Sequence, residues 1–351
     1  MNFQKTTVLF VGNHFSSGSN NQNVTQTLMT CLAERGWQFL STSHRQNKAL
    51  RLFDMLYTIY SKRKAYEFAE VDIFSGPAFI WGELCVSLLK FLGKPVILTL
   101  HGGNLPVFFQ KHPGRMQRLL RKAEMVVSPS PYLKSILEEI RPDIVAIPNF
   151  VNISSYPFVH RGSLKAGLVW LRAFHKIYNP WMAPEVINLL VDEFPDLQLN
   201  MVGPDKGDGS FERTLAAANR LGVKDQIEFP GFVPKDEVPE WLNKADIFLN
   251  TTNVDNTPVS VIEAMACGLC IVSTNVGGIP YLLEDGVDAL LVPPEDTQAM
   301  ANAVKRILSD RQLAAALSAN ARKKAGAFSW EKVLPMWEAL FHDILGESED
   351  H

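Results

Sequence analysis

Short apolar runs alternate with amphipathic segments along these 351 residues, in two consecutive series of six runs. The runs are rich in Val, Ile, Leu and Phe without strict alternation, as expected for parallel strands covered on both faces. The helical patterns between them favour an α/β architecture with one doubly wound sheet per series. The predicted strands are 8–12, 38–42, 71–75, 95–100, 125–128, 144–147, 167–171, 197–202, 226–229, 247–249, 270–273 and 290–292.

The two series predict two domains, because the chain is too long for one ordinary α/β core. We place a first domain at 1–160 and a second at 161–328, with the aperiodic segment 149–163 as linker. For residues 329–351 we predict a C-terminal helix and tail that pack back toward the first domain. The aromatic stripe of this helix is expected to be part of the core. Two sheets in series also predict a cleft between them, the usual place for a small-molecule site.

The amino-acid composition indicates the cellular compartment of the protein. Four cysteines in a chain of this size do not indicate a disulfide framework, so a reducing cytoplasm fits best. The first residues read as a strand and not as a signal peptide. No apolar run approaches the roughly 18 residues that span a bilayer. We therefore predict a cytoplasmic protein that is soluble or peripheral to the inner face of a membrane.

Charge is distributed unevenly. The first 165 residues carry 19 Lys and Arg against 10 Asp and Glu, whereas the remainder carries 15 against 27. This asymmetry indicates an anionic partner on the N-terminal side, and we predict an anionic membrane surface or acceptor and no nucleic acid. Basic residues stand among apolar ones in 61–64, 85–94 and 110–125. Ordinary solvated helices packed on the sheet are an equal alternative for these segments.

The stretch 245–280 parses as buried strand, polar loop, helix, glycine stop and second buried strand. Pro258 suits the start of the helix and Gly268 its end. Two acids, Asp255 and Glu263, stand eight positions apart around the helix start. Such a loop lies at the carboxyl ends of strands, where ligands bind and helix N–H groups favour anions. The alternative is a loop aspartate plus a glutamate stabilised by the helix dipole.

Two features of the first half are candidate site elements. The loop NHFSSGSNNQN around Gly18 precedes a predicted helix and suits an anion or sugar cradle, although it lacks the dinucleotide and P-loop motifs. Its alternative is a polar turn with Asn21 or Asn23 as helix cap. His101 follows a strand and begins HGGNLP, where two glycines let a ligand approach the backbone. The other histidines are scattered without metal-ligand spacing.

Cys267 and Cys270 form a C-x-x-C, a spacing found in redox and zinc sites. No second pair accompanies them, and one cysteine ends a helix while the other starts a buried strand. We expect both to pack in the core.

Several motifs in order resemble the family 4 retaining glycosyltransferases of GT-B architecture, in which two Rossmann-like domains face each other across a cleft. They are LTLHGG, VAIPNFVN, VWLRAF, LNMVGP, IEFPGFVPKDEVPEWLNKADIFLNTT and DNTPVSVIEAMACGLCIVSTNVGGIPYLLEDGVDALLVPPED. The similarity is dense over 226–296 and loose over 1–125. Asp255 and Glu263 match the family's E-x7-E signature, with aspartate in the first position.

The resemblance implies a role for each matching residue. Glu263 would accept hydrogen bonds from the ribose hydroxyls of a nucleotide, and Arg172 would bind its diphosphate. Lys176 is the candidate second cation, because RAFHKIYNP replaces the usual arginine, spacer and Lys-Gly. His101 would position the donor sugar or the intermediate. The donor sugar, phosphates and base would be held by Asp255, the backbone of Asn256, Thr257, Pro258 and Val259, and the surroundings of Gly18, Gly203 and Val233.

The resemblance also implies a reaction. It is a retaining transfer of a hexose from a nucleotide diphosphate sugar to a saccharide or lipid-linked acceptor hydroxyl, as in surface polysaccharide or glycolipid synthesis. No cofactor or metal is expected, and no two aspartates in the chain form a D-x-D. Two alternatives are a nucleotide-sugar epimerase or hydrolase on the same fold and a noncatalytic sugar-nucleotide-binding protein.

Overall fold

The structure, a computed structural model, describes residues 6–12, 24–42, 47–162 and 164–346. The chain forms two compact units. One comprises Met1–Asn149 with Glu331–His351, and the other comprises Phe150–Trp330.

The first unit is built on a parallel sheet in the order β2-β1-β3-β4-β5-β6. Its strands are β1 (Thr7–Val11), β2 (Gln38–Ser41), β3 (Phe68–Ile73), β4 (Val96–Leu100), β5 (Met125–Ser128) and β6 (Val145–Ala146). Its helices are α1 (Val24–Glu34), α2 (Lys48–Ser61), α3 (Ala78–Phe91), α4 (Leu105–Lys111), α5 (Pro113–Leu120) and α6 (Pro131–Leu137). Helices therefore alternate with strands, as a parallel sheet requires.

The second unit repeats this plan with the order β12-β11-β10-β7-β8-β9. Its strands are β7 (Gly167–Leu171), β8 (Gln198–Val202), β9 (Ile227–Gly231), β10 (Ile247–Asn250), β11 (Cys270–Thr274) and β12 (Ala289–Val292). Its helices are α7 (Met182–Leu190), α8 (Ser210–Arg220), α9 (Val238–Asn243), α10 (Val259–Cys267), α11 (Ile279–Leu282), α12 (Thr297–Ser309) and α13 (Arg311–Ala325).

Every predicted apolar run forms a strand, and the mixed α/β fold is confirmed. Strand β7 shows why its sequence does not alternate between apolar and polar residues. Leu168 and Trp170 pack in a core on one face of the sheet, and Val169 packs in a second core on the other face. All three side chains are fully buried, so each position is apolar. The largest displacement is at β3, which begins three residues before the predicted 71–75.

The segment 150–160 belongs to the second unit, whereas we assigned it to the first domain as linker. Backbone contacts fix its start, since Val151 donates its N–H to Phe328 O at 2.9 Å. Tyr156 is buried and donates its hydroxyl to Glu263. The polar and aperiodic sequence of this segment gave no sign of these contacts.

The last helix, α14 (Trp330–Leu345), contributes its residues from Glu331 onward to the first unit. Phe341 is fully buried there, with its ring centroid 5.2 Å from that of Phe68 and 5.0 Å from that of Trp37. The predicted aromatic stripe is therefore core, and Pro335 is accommodated inside the helix.

Candidate functional site

The strand order of the second unit reverses between β7 and β10, which are hydrogen-bonded neighbours although β8 and β9 separate them in sequence. In open α/β sheets, ligands bind outside the carboxyl ends of the strands at such a point. Arg172 directly follows β7, and the loop 251–258 directly follows β10. The topology therefore brings Arg172 and this loop to the same place.

Arg172 and Asp255 form an ion pair in which the side chains are 15% and 10% exposed. The other carboxylate oxygen of Asp255 accepts the backbone N–H of Asn256 at 2.9 Å. The guanidinium carbon of Arg172 lies 4.5 Å from the ring centroid of Tyr178. Burial lowers the pKa of Arg172 from its usual value, but an arginine remains charged at neutral pH. A fixed positive charge thus stands at the end of β7.

Three buried polar atoms on these segments have no hydrogen-bond partner among the described residues: Nε of Arg172, Oδ1 of Asn256 and Oγ of Ser260. Buried polar groups in proteins are normally satisfied. Helix α10 begins beside them at Val259, and the first N–H groups of a helix lack intrahelical partners and favour anions. The cluster is therefore suited to a polar, negatively charged ligand.

Two close backbone approaches hold this region together, and each requires glycine. A Cβ on Gly278 would overlap the carbonyl oxygen of Asn256, and the Gly278 N–H donates to Asp255 O at 3.1 Å. Gly203, at φ +147°, passes so near the Arg172 carbonyl that a side chain there would overlap it. The glycines thus fix the backbone on which Arg172 and Asp255 stand.

Gly278→Ala should displace the loop around Asn256, because the added methyl group has no space. We expect donor affinity to fall about tenfold or more if Asn256 and its neighbours hold the donor. Titration with a nucleoside diphosphate measures this loss. Gly326→Ala is the matched control, since a Cβ at Gly326 meets no atom within 4 Å and its φ is -58°. Equal affinity in the two variants would contradict the role of this loop.

Glu263 is 2% exposed and lies on α10. Its Oε1 accepts the hydroxyl of Tyr156 at 2.8 Å and contacts the ammonium of Lys235. Glu263 is the fifth residue of its helix, and the dipole effect fades within the first turn. Helix stabilisation therefore does not account for this acid, which weakens the alternative considered from sequence.

Lys235 was not singled out from the sequence, although it is the cation that contacts Glu263. Its side chain is 44% exposed, while the ammonium end reaches a carboxylate that is almost fully buried. Burial of the ammonium lowers the pKa of Lys235 to about 8. Nothing in GFVPKDEV distinguishes this lysine from an ordinary surface residue, because the contact spans 28 positions.

The remaining donor-side candidates of the second unit follow the carboxyl ends of its strands. Thr257 is 9% exposed, Pro258 precedes the first residue of α10, and Val233, which follows β9, is 8% exposed. Lys176 is exposed, and among the described residues its ammonium does not contact Arg172 or Asp255. Its backbone N–H donates to Asp208 Oδ2 at 3.0 Å. Gly18 lies outside the described residues.

His101 lies in the first unit, at the carboxyl end of β4. Its Nε2 lies 2.7 Å from Asp72 Oδ1, and its ring stacks on Phe74 with centroids 5.3 Å apart. Asp72 stands on β3, the neighbour of β4, and its other oxygen accepts the hydroxyl of Thr25 at 3.4 Å. The two atoms are close but do not meet hydrogen-bond geometry, so Asp72 contacts the imidazole as a neighbouring carboxylate. The sequence did not reveal this contact.

Glu70, Asp72 and His101 also form a group that could hold a metal ion, with one potential ligand atom from each within 4.8 Å of the others. The sequence gave no metal-ligand spacing, because Glu70 and Asp72 alternate on β3 while His101 follows β4. Burial and the charge of Asp72 raise the pKa of Glu70 well above its usual value.

The first unit also contains a pocket that shares Asp72 with this group. It is lined by Val11, Gly12, Met55, Val71, Asp72, Phe74, Ala78, Trp81, Gly82 and Cys85.

Cys267 and Cys270 are fully buried and unpaired, which confirms the expected packing role. Burial raises the pKa of each thiol to about 12, and Cys270 Sγ donates to Ala314 O at 3.3 Å. Neither thiol is a reactive nucleophile.

We expect Cys267 and Cys270 to resist iodoacetamide in the native protein at about pH 8, because the thiolate is the reactive form. Both should react in denaturant, and mass spectrometry of the peptides identifies the modified positions. Rapid native alkylation of either cysteine would contradict this assignment.

No helix among the described residues is long and apolar enough to cross a membrane.

Comparison with known proteins identifies the family. Residues 42–155 match the family described as Glycosyltransferase Family 4, and residues 169–324 match the family described as Glycosyl transferases group 1. The N-acetyl-alpha-D-glucosaminyl L-malate synthase of Bacillus anthracis is 26% identical over 321 residues, which are 84% of this chain and 82% of that protein. The D-inositol 3-phosphate glycosyltransferase of Streptomyces avermitilis is 25% identical over 270 residues, 72% of this chain but only 58% of that protein.

Solved structures share the fold. Sucrose-phosphate synthase from Thermosynechococcus elongatus has a TM-score of 0.82 at 18% identity, over 98% of this chain and 100% of that one. Anabaena HepE in complex with UDP and glucose has a TM-score of 0.77 at 16% identity, over 96% and 100%. The two parallel six-stranded sheets define the GT-B glycosyltransferase fold. Within that class, the chain belongs to the group 1 glycosyltransferases of the family 4 type.

Proposed function

We propose that this chain transfers a hexose, with retention of configuration, from a nucleotide diphosphate sugar to a hydroxyl of a saccharide or lipid-linked acceptor. The observation that carries the proposal is the ion pair of Arg172 with Asp255 at the strand-order reversal, beside the start of the helix that carries Glu263. The HepE structures with UDP and with UDP-glucose support a nucleotide-sugar donor. An epimerase, a hydrolase or a noncatalytic binding protein remain the alternatives to be tested.

On the donor side, the buried carboxylate of Glu263 accepts two neighbouring ribose hydroxyls. Lys235 and Tyr156 hold that carboxylate in place before the donor binds. The backbone of 256–259 and the first turn of α10 meet the phosphates, and Asp255 meets the donor sugar. Gly203 and Val233 lie along the same edge, where the base and phosphates bind, and Lys176 remains the proposed second cation.

In the reaction, the bond between the anomeric carbon and the diphosphate oxygen breaks, and a bond to the acceptor oxygen forms on the same face of the sugar. The acceptor proton passes to the departing diphosphate. Arg172 stabilises the negative charge that develops on the leaving group, because it is prepositioned in a site largely shielded from water. His101, whose imidazole lies beside Asp72, positions the donor sugar or the intermediate.

We propose that the transfer needs no metal ion or other cofactor. The support is the lack of any D-x-D sequence, together with a cationic residue and a helix start in the place where a metal would neutralise the diphosphate. The proposed partners are therefore a nucleotide sugar and an acceptor. The third proposed partner is an anionic membrane surface, which the basic first half of this cytoplasmic protein would bind.

A thermal-shift panel of UDP, GDP and their sugars tests the donor. A ligand at about 100 times its Kd stabilises the native state by about 2.7 kcal/mol, which raises the Tm by roughly 5 to 10 °C. We expect one nucleoside diphosphate series to give this shift, with or without EDTA. The absence of a shift with every nucleotide sugar would contradict the proposal.

A further inference from the structure

The exposed face of α2 is apolar. Leu50, Phe53, Tyr57 and Tyr60 are 54%, 69%, 61% and 52% exposed, and their spacing places them on one side of the helix. The opposite face is also largely apolar, and its Met55 and Ile59 are buried in the core. The solvent face of a globular helix normally carries charged and polar residues. A second apolar face therefore indicates an environment other than water.

Helix α3 packs against α2 and repeats this feature. Ile80, Leu84 and Phe91 are 47%, 43% and 84% exposed, at positions that share one helix face. We call these exposed residues of α2 and α3 the apolar stripes. Exposed apolar residues concentrated on two neighbouring helices indicate a binding surface.

The segment that carries the stripes is basic, since residues 48–122 contain twelve Lys and Arg against five Asp and Glu. Some of these residues lie beside the stripes. Lys62 and Lys64 are exposed directly after α2, and the guanidinium of Arg63 lies 4.4 Å from the ring centroid of Tyr60. Lys90 precedes Phe91 at the end of α3. Aromatic side chains with neighbouring Lys and Arg suit the boundary of an anionic bilayer, where rings enter the headgroups and cations meet lipid phosphates.

A second copy of the chain fits this surface less well. It would bring the same cluster of Lys62, Arg63 and Lys64 from both copies to one interface, and like charges there cost free energy. The anionic lipid surface is complementary to both the apolar stripes and their charges.

The same two helices also line the pocket of the first unit. Met55 of α2 and Trp81, Gly82 and Cys85 of α3 face it, together with Asp72 at the carboxyl end of β3. The outer faces of α2 and α3 therefore carry the apolar stripes while their inner faces enclose a largely apolar pocket near His101. An acceptor whose lipid stays in the bilayer can be presented to a unit docked in this way.

We propose that the apolar stripes dock the first unit on an anionic lipid surface, and that the acceptor is lipid-linked and delivered from that surface. The second part rests on the proposed transferase function.

The test uses the full chain and vesicles of phosphatidylcholine with or without phosphatidylglycerol. We expect cosedimentation with the anionic vesicles, weakened by salt, and much less with phosphatidylcholine alone. The variant Phe53→Ser/Tyr57→Ser/Phe91→Ser should bind at least about tenfold more weakly, because three exposed rings no longer enter the lipid. Lys62→Glu/Lys64→Glu should also weaken binding about tenfold or more. Leu189→Ser, at a 46% exposed leucine of the second unit, should bind like wild type.

Equal vesicle binding by wild type and both multiple variants would overturn the docking surface. So would a wild-type dimer in solution that the ring variant abolishes, since the stripes would then face a second copy. The donor-induced Tm shift, measured on the same proteins, separates this proposal from the proposed function. A lost shift with retained vesicle binding refutes the donor site alone, and a retained shift with no vesicle binding refutes the docking surface alone. The acceptor assays contain no detergent. Equal rates of transfer to a soluble saccharide and to a lipid-linked saccharide in anionic vesicles would overturn the proposal that the acceptor is lipid-linked.

Discussion

Arg172→Ala should lower the turnover number for the preferred donor by about 100- to 1,000-fold, the usual cost of removing one preorganised group that meets developing charge. Donor KM should change less, because the charge on the diphosphate grows as the bond to the sugar breaks. The turnover number of Arg172→Lys should lie between those of wild type and Arg172→Ala. The lysine keeps the charge but loses the planar fork that pairs with Asp255 and stacks on Tyr178. Steady-state release of nucleoside diphosphate measures both parameters.

Two further variants separate chemistry from folding. Arg172→Ala leaves Asp255 without its cation, so Arg172→Ala/Asp255→Asn shows how much of the loss comes from an unpaired carboxylate. Arg213→Ala is the matched control, because Arg213 also stacks on an aromatic ring of the second unit, 3.6 Å from the centroid of Trp181. It should keep near wild-type turnover. If Arg172→Ala and Arg213→Ala behave alike, Arg172 does not stabilise the leaving group.

Glu263→Gln should weaken donor binding by about tenfold to 100-fold, because a neutral amide replaces the carboxylate that accepts the ribose hydroxyls. The loss should appear mainly in donor KM, since the ribose lies away from the bond that breaks. Glutamine nearly keeps the shape of the side chain, so the core around α10 is preserved. Isothermal titration with the nucleoside diphosphate measures the affinity directly.

The contacts of Glu263 supply controls. Tyr156→Phe removes one hydrogen bond to the carboxylate and leaves the carboxylate itself, so its effect on affinity should be several-fold smaller. Glu212→Gln changes an exposed acid in the first turn of α8, and it should leave the affinity unchanged. A purely structural role of Glu263 would instead lower the Tm of Glu263→Gln and leave the affinity of the folded fraction intact.

The strands and the helix α10 could be predicted because local sequence determines them. Continuous apolar runs indicate doubly covered strands, and α10 ends at Gly268, which adopts φ +74° as a left-handed helix end requires. The same local pattern placed Asp255 in the loop before the helix and Glu263 on the helix itself. The arginine after β7 could be placed because the resemblance supplied its position.

Contacts across the sheet could not be predicted in the same way. Lys235 and Tyr156 meet Glu263 over 28 and 107 positions, and both come from segments without helical or strand periodicity. Asp72 meets His101 only because β3 and β4 are neighbours in register. Strand order and side-chain direction decide such pairs, and neither is written in a single local motif. The exposed rings of α2 were hidden for a similar reason, since the sequence alone does not say which apolar face is buried.

A direct assay of transfer supplies the nucleotide sugar that stabilises the protein together with lipid-linked acceptors in anionic vesicles, in the presence of EDTA. We expect a retaining transfer, with release of nucleoside diphosphate in step with glycosylation of the acceptor, and NMR of the product should show the anomeric configuration of the donor. Free sugar released at the same rate without acceptor, an epimerised donor, or a product of inverted configuration would contradict it.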